Sequence, residues 1–176
     1  MQKVSPKDDD GAVQVFVETP TGSRDKFALD HDTGLFKWTL QLPLGSSFPF
    51  SFGFVPNTLA EDGDPLDIIL LVDGRMPQGT LVPSRLIGIL PVTQDEDGDG
   101  DAGTQNDRIL AVPTLAQTFG DTHDIGDLRD GFYEELGAFF ASYNKLISRE
   151  FEYGDPLGAE EAYRRLDDAI DRFEAQ

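Results

Sequence analysis

Four carboxylates fall within seven residues in the stretch Glu61-Asp62-Gly63-Asp64-Pro65-Leu66-Asp67. Acids packed this densely repel one another, and gathering them in a fold is costly unless a hard cation neutralises them. Gly63 and Pro65 punctuate a turn. The apolar run that follows, Ile68-Ile69-Leu70-Leu71-Val72, has the length and β-branching of a buried strand. The acids therefore sit on a short bend at a strand's mouth. A solvated acidic turn accounts for Asp62-Gly63-Asp64 alone. The third acid, Asp67, tied directly to a buried strand, points instead to metal chemistry.

Other chemistries find less support. Asp95, Asp97, Asp99 and Gly100 match the first half of a calcium-binding EF-hand loop, but the twelfth position, which needs a bidentate Glu, is Asn106. A calcium-binding hairpin loop and an acidic loop that lends one or two carboxylates to a neighbouring site both remain open. His31 and His123 lie in polar loops without ligand spacing and read as surface residues. Ser46 and Ser47 have no His and Asp partners of the kind that activate a nucleophile. The chain has no Cys, so thiolate metal sites and disulfides are excluded.

The elements that must position the acidic turn follow from periodicity. Val13–Val17 alternates and reads as a strand, followed by a short strand at Lys26–Leu29, the turn Asp32-Thr33-Gly34 and a strand from Leu35 to Trp38. Phe48, Phe50, Phe52 and Phe54 recur at every second position, which would place four rings on one strand face, as core or as pocket wall. Further strands are expected at 85–90 and 109–113. Phe132, Leu136, Phe140 and Tyr143 predict an amphipathic helix over about 127–147, and Ala162, Leu166, Ile170 and Phe173 another over about 159–174. Many short strands followed by two helices indicate an α+β domain on a small β-barrel. The organisation expected is a flexible N-terminal tail over 1–12 and a single domain over 13–176. With 33 acidic against 14 basic residues, the net charge is −19. That argues against nucleic acid and anionic membrane surfaces as partners. No apolar run approaches the ~18 residues of a spanning helix, so the default expectation is a soluble cytoplasmic protein.

The acidic turn with its neighbours resembles the soluble family I inorganic pyrophosphatases, whose signature reads Asp-Gly-Asp-Pro-apolar-Asp. Val17-Glu18-Thr19-Pro20 resembles the family's Glu-x-Pro strand end, Lys26-Phe27 its Lys-Tyr, and Phe48-Pro49 with Phe52-Gly53-Phe54 its Tyr-Pro and Tyr-Gly-Tyr. Arg108-Ile109-Leu110-Ala111-Val112-Pro113 resembles its Lys-x-x-Ala-Val-Pro, and Phe139-Phe140 with Tyr143 its Phe-Phe-x-x-Tyr-Lys. The likeness runs in order from about residue 13 to 174. It implies a closed five-stranded, OB-like barrel with added hairpin strands and two flanking helices, hydrolysing pyrophosphate to two phosphates with two or more Mg²⁺ ions. By position it implies Asp62, Asp64, Asp67 and Asp95 as metal ligands, Asp64 also as base to the attacking water, and Glu18 as an outer-shell acid. Lys26, Arg108 and Tyr143 would hold phosphate oxygens. It further implies a homo-oligomer, a hexamer in bacterial members.

The departures have a direction. The family's second acid after Lys-Tyr falls on Ala28, a phosphate-binding Arg on Leu40, the helix Lys on Asn144, and a loop Asp on Asn106, with Asp107 adjacent but on the other face of an extended segment. Two pocket tyrosines become Phe48 and Phe52. The basic Lys becomes Arg108, which keeps charge and changes geometry. The acidic turn is intact while the groups that grip phosphate are thinned, with Arg24, Lys37 and Lys145 as the available replacements. Three readings follow: a Mg²⁺-dependent pyrophosphatase, a non-catalytic member acting as a binding or regulatory protein, and a phosphohydrolase for another substrate, favoured by the less polar pocket wall.

Overall fold

A computed structural model describes residues 4–94, 104–146 and 151–176. Its strands are β1 (Val13–Thr19), β2 (Asp25–Asp30), β3 (Leu35–Gln41), β4 (Ser51–Phe54), β5 (Asp67–Leu70), β6 (Leu81–Leu90), β7 (Val92–Gln94), β8 (Thr104–Gln105), β9 (Arg108–Pro113), β10 (Phe151–Tyr153) and β11 (Leu157–Gly158). The helices are α1 (Phe132–Leu146) and α2 (Ala159–Glu174). Strands β1, β4, β5, β9 and β6 are hydrogen-bonded in that order, and β6 pairs back with β1 (Val13 opposite Ser84) to close the barrel. Every neighbouring pair in the ring is antiparallel except β5–β9. Closure leaves no open edge in the ring.

Alternation explains the interior. Val13, Val15 and Val17 of β1, Ile68 and Leu70 of β5, Leu86 and Ile89 of β6 and Ile109 and Ala111 of β9 share one buried cluster with Ala162, Leu166 and Ala169 of α2. The opposite faces of β5, β6 and β9 supply Ile69, Ile87, Leu90, Leu110 and Val112 to a second cluster under α1, with Phe132, Leu136 and Phe140. Both faces of these strands are therefore covered, which is why Ile68–Val72 reads as a continuous apolar run. Gly53 is required where β4 crosses β1: a Cβ there would lie 1.9 Å from the Phe16 carbonyl oxygen.

The hairpin β2–β3 stands apart from the ring as its own two-stranded sheet. Thr19 pins it to the barrel, its hydroxyl donating to the Phe27 carbonyl (3.0 Å) and accepting from the Phe27 amide (2.9 Å). At the chain's start, Asn57 donates to the Val4 carbonyl (3.0 Å), and Lys7 pairs with Asp167 of α2 at 2.8 Å. Two expectations need correction. Helix α1 begins at Phe132, not near 127, because Asp124 caps a separate 3₁₀ turn (Ile125–Asp127) and Gly131 adopts a left-handed φ of 76°. The four phenylalanines do not share a strand face, because β4 starts only at Ser51. Phe50 packs on Phe132 (5.5 Å between centroids), whereas Phe48 meets Phe52 (5.1 Å).

Candidate active site

The acidic turn is built by its backbone. Gly63 takes a φ of 91°, a conformation that favours glycine. The Ala60 amide donates to the Asp64 carbonyl (2.7 Å), and the Asp64 amide donates to an Asp62 carboxylate oxygen (3.0 Å). The Leu66 amide donates to the Thr58 hydroxyl (2.9 Å), which donates onward to the Val55 carbonyl (2.7 Å). The chain then enters β5 at Asp67. Parallel pairing of Ile68 with Ile109 sets Asp67 beside Arg108, and the two form an ion pair at 2.6 Å. The pairing of β5 with β9 thus joins the acidic turn to the cation of the next strand.

Glu18 arrives by a different device. The β1–β4 register slips between Val17 and Thr19, so Glu18 is the extra residue of a β-bulge. Bulges re-aim a side chain. Its carboxylate accepts from the Leu29 amide of β2 at 2.6 Å. Burial pushes its carboxyl up to about 7, an effect opposed by the Leu29 bond and by Lys26 and reinforced by the negative charges of Asp67 and Asp64.

These groups line one cavity of about 280 Å³ at the barrel mouth. Glu18, Asp64 and Asp67 form its acidic side, and Lys26, Arg108 and Tyr143 bring donors from β2, β9 and α1. Phe48, Phe52 and Phe54 supply an aromatic wall, and Ala28, Asn106 and Asn144 also face it. Asp62 does not line this cavity. It faces an adjoining space of about 30 Å³ with Glu61, Asp107, Arg165 and Arg172, and Asp67 and Asn106 border both. Burial raises the Asp62 carboxyl above its usual range, with Asp67 and Asp64 adding to the shift. Asp107 does lie off the main cavity: it accepts from the Val92 amide (3.2 Å) and approaches Arg165 at 3.6 Å. Asp95 lies outside the described residues, as does the rest of the run 95–101.

The available replacements for the missing cations do not reach the site. Arg24 donates to the Leu42 carbonyl at 2.7 Å, Lys37 pairs with Asp30, and neither they nor Lys145 line the cavity. His31, read from the sequence as a surface residue, is exposed but stands at the cavity wall, edge-on to Phe54 at 5.4 Å. The sequence showed the turn that carries it, but not that the β2–β3 hairpin folds over the barrel mouth.

The donor set fits a hard divalent cation in kind. It consists of carboxylate oxygens whose mutual repulsion contributes to the raised proton affinity of Glu18 and Asp62. The grouping is not a ready-made cage: among the described residues no three His, Cys, Asp or Glu side chains are disposed to hold an ion. Arg108 engages Asp67, and Asp62 faces the smaller space.

A closed barrel with carboxylates and cations converging at its mouth defines an OB-like protein. Comparison with known proteins gives the particular family. The inorganic pyrophosphatase family model matches residues 15–174. The inorganic pyrophosphatase of Halalkalibacterium halodurans is 31% identical over 161 residues, covering 92% of this chain and 94% of that protein. That of Corynebacterium efficiens is 33% identical over 165 residues, covering 93% and 99%. The crystal structure of the inorganic pyrophosphatase from Thermus thermophilus matches with a TM-score of 0.88 at 28% identity over 97% of each chain. The Helicobacter pylori enzyme matches with a TM-score of 0.86 at 27% identity, covering 98% of this chain and 99% of that one. This chain belongs to the inorganic pyrophosphatase family.

Proposed function

We propose that the cavity hydrolyses inorganic pyrophosphate to two phosphates with Mg²⁺ as the metal. The observation that carries this reading is the convergence of Glu18, Asp64 and Asp67 with Lys26, Arg108 and Tyr143 in one cavity. Asp62, Asp64 and Asp67, with Asp95 by resemblance, are the residues that would hold the ions. When bound, Mg²⁺ would lower the pKa of a water and neutralise charge developing on the phosphates. Asp64 takes a proton as the water oxygen bonds to phosphorus and the bridging P–O bond breaks, and the proton leaves with product phosphate. Lys26 and Arg108 hold the equatorial and leaving oxygens, and Tyr143 donates from α1. Glu18, whose carboxyl burial raises to about 7, is shared between its protonated and charged forms near neutral pH and orients solvent behind this set.

The same family resemblance supports a homo-oligomer, a hexamer in bacterial members, as the working unit, and the cytoplasm as its place. Among the described residues no helix is long and apolar enough to cross a membrane. Leu35, Trp38 and Leu44 are exposed and offer apolar surface to a second copy.

The test is phosphate release from pyrophosphate with Mg²⁺, beside Asp64→Asn. The expected result is turnover in the native chain and a loss of about 10²–10⁴-fold in the variant, the range for removing a positioned base. A folded native chain that releases no phosphate with any divalent cation would overturn the reading.

A further inference from the structure

The acidic turn closes on one peptide unit, that between Leu59 and Ala60. Its N–H, belonging to Ala60, donates to the Asp64 carbonyl at 2.7 Å. Its carbonyl, belonging to Leu59, accepts from the Arg172 guanidinium at 3.0 Å. A peptide unit is planar, so holding its oxygen fixes the direction of its N–H. Hydrogen bonds in series also polarise and strengthen one another. Arg172 therefore bears on the backbone of Asp64 through a single peptide plane. The Asp64 amide in turn holds an Asp62 carboxylate oxygen at 3.0 Å, so the chain of bonds ends on two of the acids assigned to the ions.

The other arm of the same guanidinium reaches the Glu61 carboxylate at 3.4 Å, from 111 residues away in the chain. Arg172 stands in the last turn of α2, where the exposed carbonyls of a helix end favour a cation. Arg165 lies seven residues earlier, on the same helix face. It approaches Glu61 at 3.9 Å and Asp107 at 3.6 Å. Between the two arginines the Ala169 carbonyl accepts from the Leu59 amide at 2.9 Å. One face of α2 thus grips residues 59–61 immediately before Asp62. The Arg172 and Glu61 side chains are 37% and 53% exposed, and ion pairs so open to water add little to stability. The weight of the contact falls on geometry: a rigid fork can hold a carbonyl and a carboxylate together, which a lysine ammonium on a flexible stem does less well.

We propose that Arg172 is a positioning residue for the reaction, holding the acidic turn in the shape that binds its cation without itself touching metal or pyrophosphate. This rests on the pyrophosphatase reading in taking Mg²⁺ as that cation. The C-terminal helix, remote in sequence from the acids, thereby sets the cation affinity of the turn.

The test is Mg²⁺ binding to the full chain without pyrophosphate, by calorimetry, in the native protein, Arg172→Met and Arg172→Lys. Positioning and charge predict opposite signs. Removing a positive charge beside Glu61 and Asp62 would by itself tighten Mg²⁺ binding, whereas loosening the turn weakens it. Arg172→Met is expected to bind Mg²⁺ about 10–100-fold more weakly, the range for residues that orient metal ligands. Arg172→Lys should recover part of that loss. The Mg²⁺ concentration giving half-maximal phosphate release should rise by the same factor, with kcat returning toward the native value at saturating Mg²⁺. Asp124→Ala controls for a general loosening of α2, because the Asp124 carboxylate accepts from the Ala159 amide at the helix's other end (2.7 Å). Unchanged or tighter binding in Arg172→Met overturns the proposal. Full recovery in Arg172→Lys would show that charge alone acts, and an equal loss in Asp124→Ala that any weakening of α2 suffices; either also overturns it. If Arg172→Met does not fold, Arg172→Lys against the native chain carries the comparison, with weaker binding expected and equal binding overturning. A folded native chain that binds no Mg²⁺ and releases no phosphate with any divalent cation would instead overturn the pyrophosphatase reading, and this inference would fall with it.

Discussion

Glu18 carries its carboxyl where water is scarce and two other carboxylates are close. Its folded pKa of about 7 lies above the ordinary value of 4.5. The metal-free fold therefore binds a proton more tightly than the unfolded chain. The contribution of Glu18 to stability is then greatest below about pH 4.5 and falls as pH rises toward 7, by on the order of 3 kcal/mol, after which it levels. Glu18→Gln should remove this slope in metal-free protein, as read from denaturation midpoints between pH 4 and 8. An identical slope in the variant would mean that another group titrates. At this scale the sequence was most legible where the side chain lies next to its own turn, as with Asp64 and Asp67. It was silent on the bulge that aims Glu18, because a bulge is a property of two strands, and on Asp62 facing the smaller space.

Among the elements, α2 shows how distant residues finish a local structure. Its bounds are legible locally, from Pro156 and Gly158 before it and the apolar spacing of Ala162, Leu166 and Ile170 within it. Its N-cap residue is Gly158, which has no side chain to offer. The cap is supplied from across the chain: an Asp124 carboxylate oxygen accepts from the Ala159 amide at 2.7 Å, while its other oxygen accepts from the Gly126 amide at 3.2 Å. Asp124→Ala should thus uncap two elements at once and lower stability by about 1–2 kcal/mol, toward the upper end for a single cap. Denaturant unfolding would read this as a lower midpoint at unchanged slope; an unaltered midpoint would show that the cap carries no weight. The same limit of local information explains the barrel. Each strand from β1 to β9 that lines the ring has a readable apolar pattern, but the β6–β1 pairing that closes it and the parallel β5–β9 pairing that joins Asp67 to Arg108 depend on partners far along the chain.

Across the whole molecule the dominant fact is charge: −19 on 176 residues. Some acids are locally balanced. On α2, Arg164 bonds Glu161 and Asp168, Arg165 bonds Glu161 at 3.0 Å, and Arg172 reaches Glu61 at 3.4 Å and the Leu59 carbonyl at 3.0 Å. Added salt acts in opposite directions on these two features. It weakens exposed pairs, each contributing about 0–1 kcal/mol, and it screens the repulsion among the unbalanced acids, as the Debye length shrinks from about 10 Å at 0.1 M to about 3 Å at 1 M. With 33 acids against 14 bases, repulsion outweighs the pairs. The thermal midpoint should therefore rise steadily between low salt and 1 M NaCl, and it should do so equally in Asp64→Asn, since general screening does not depend on the cavity. Millimolar Mg²⁺ should add a further increment at fixed ionic strength in the native chain and a smaller one in that variant. A midpoint that is flat or falls with NaCl would mean that the ion pairs on α2 outweigh the net charge. An Mg²⁺ increment identical in both proteins would place the cation in the diffuse atmosphere of the acidic surface, not at the barrel mouth.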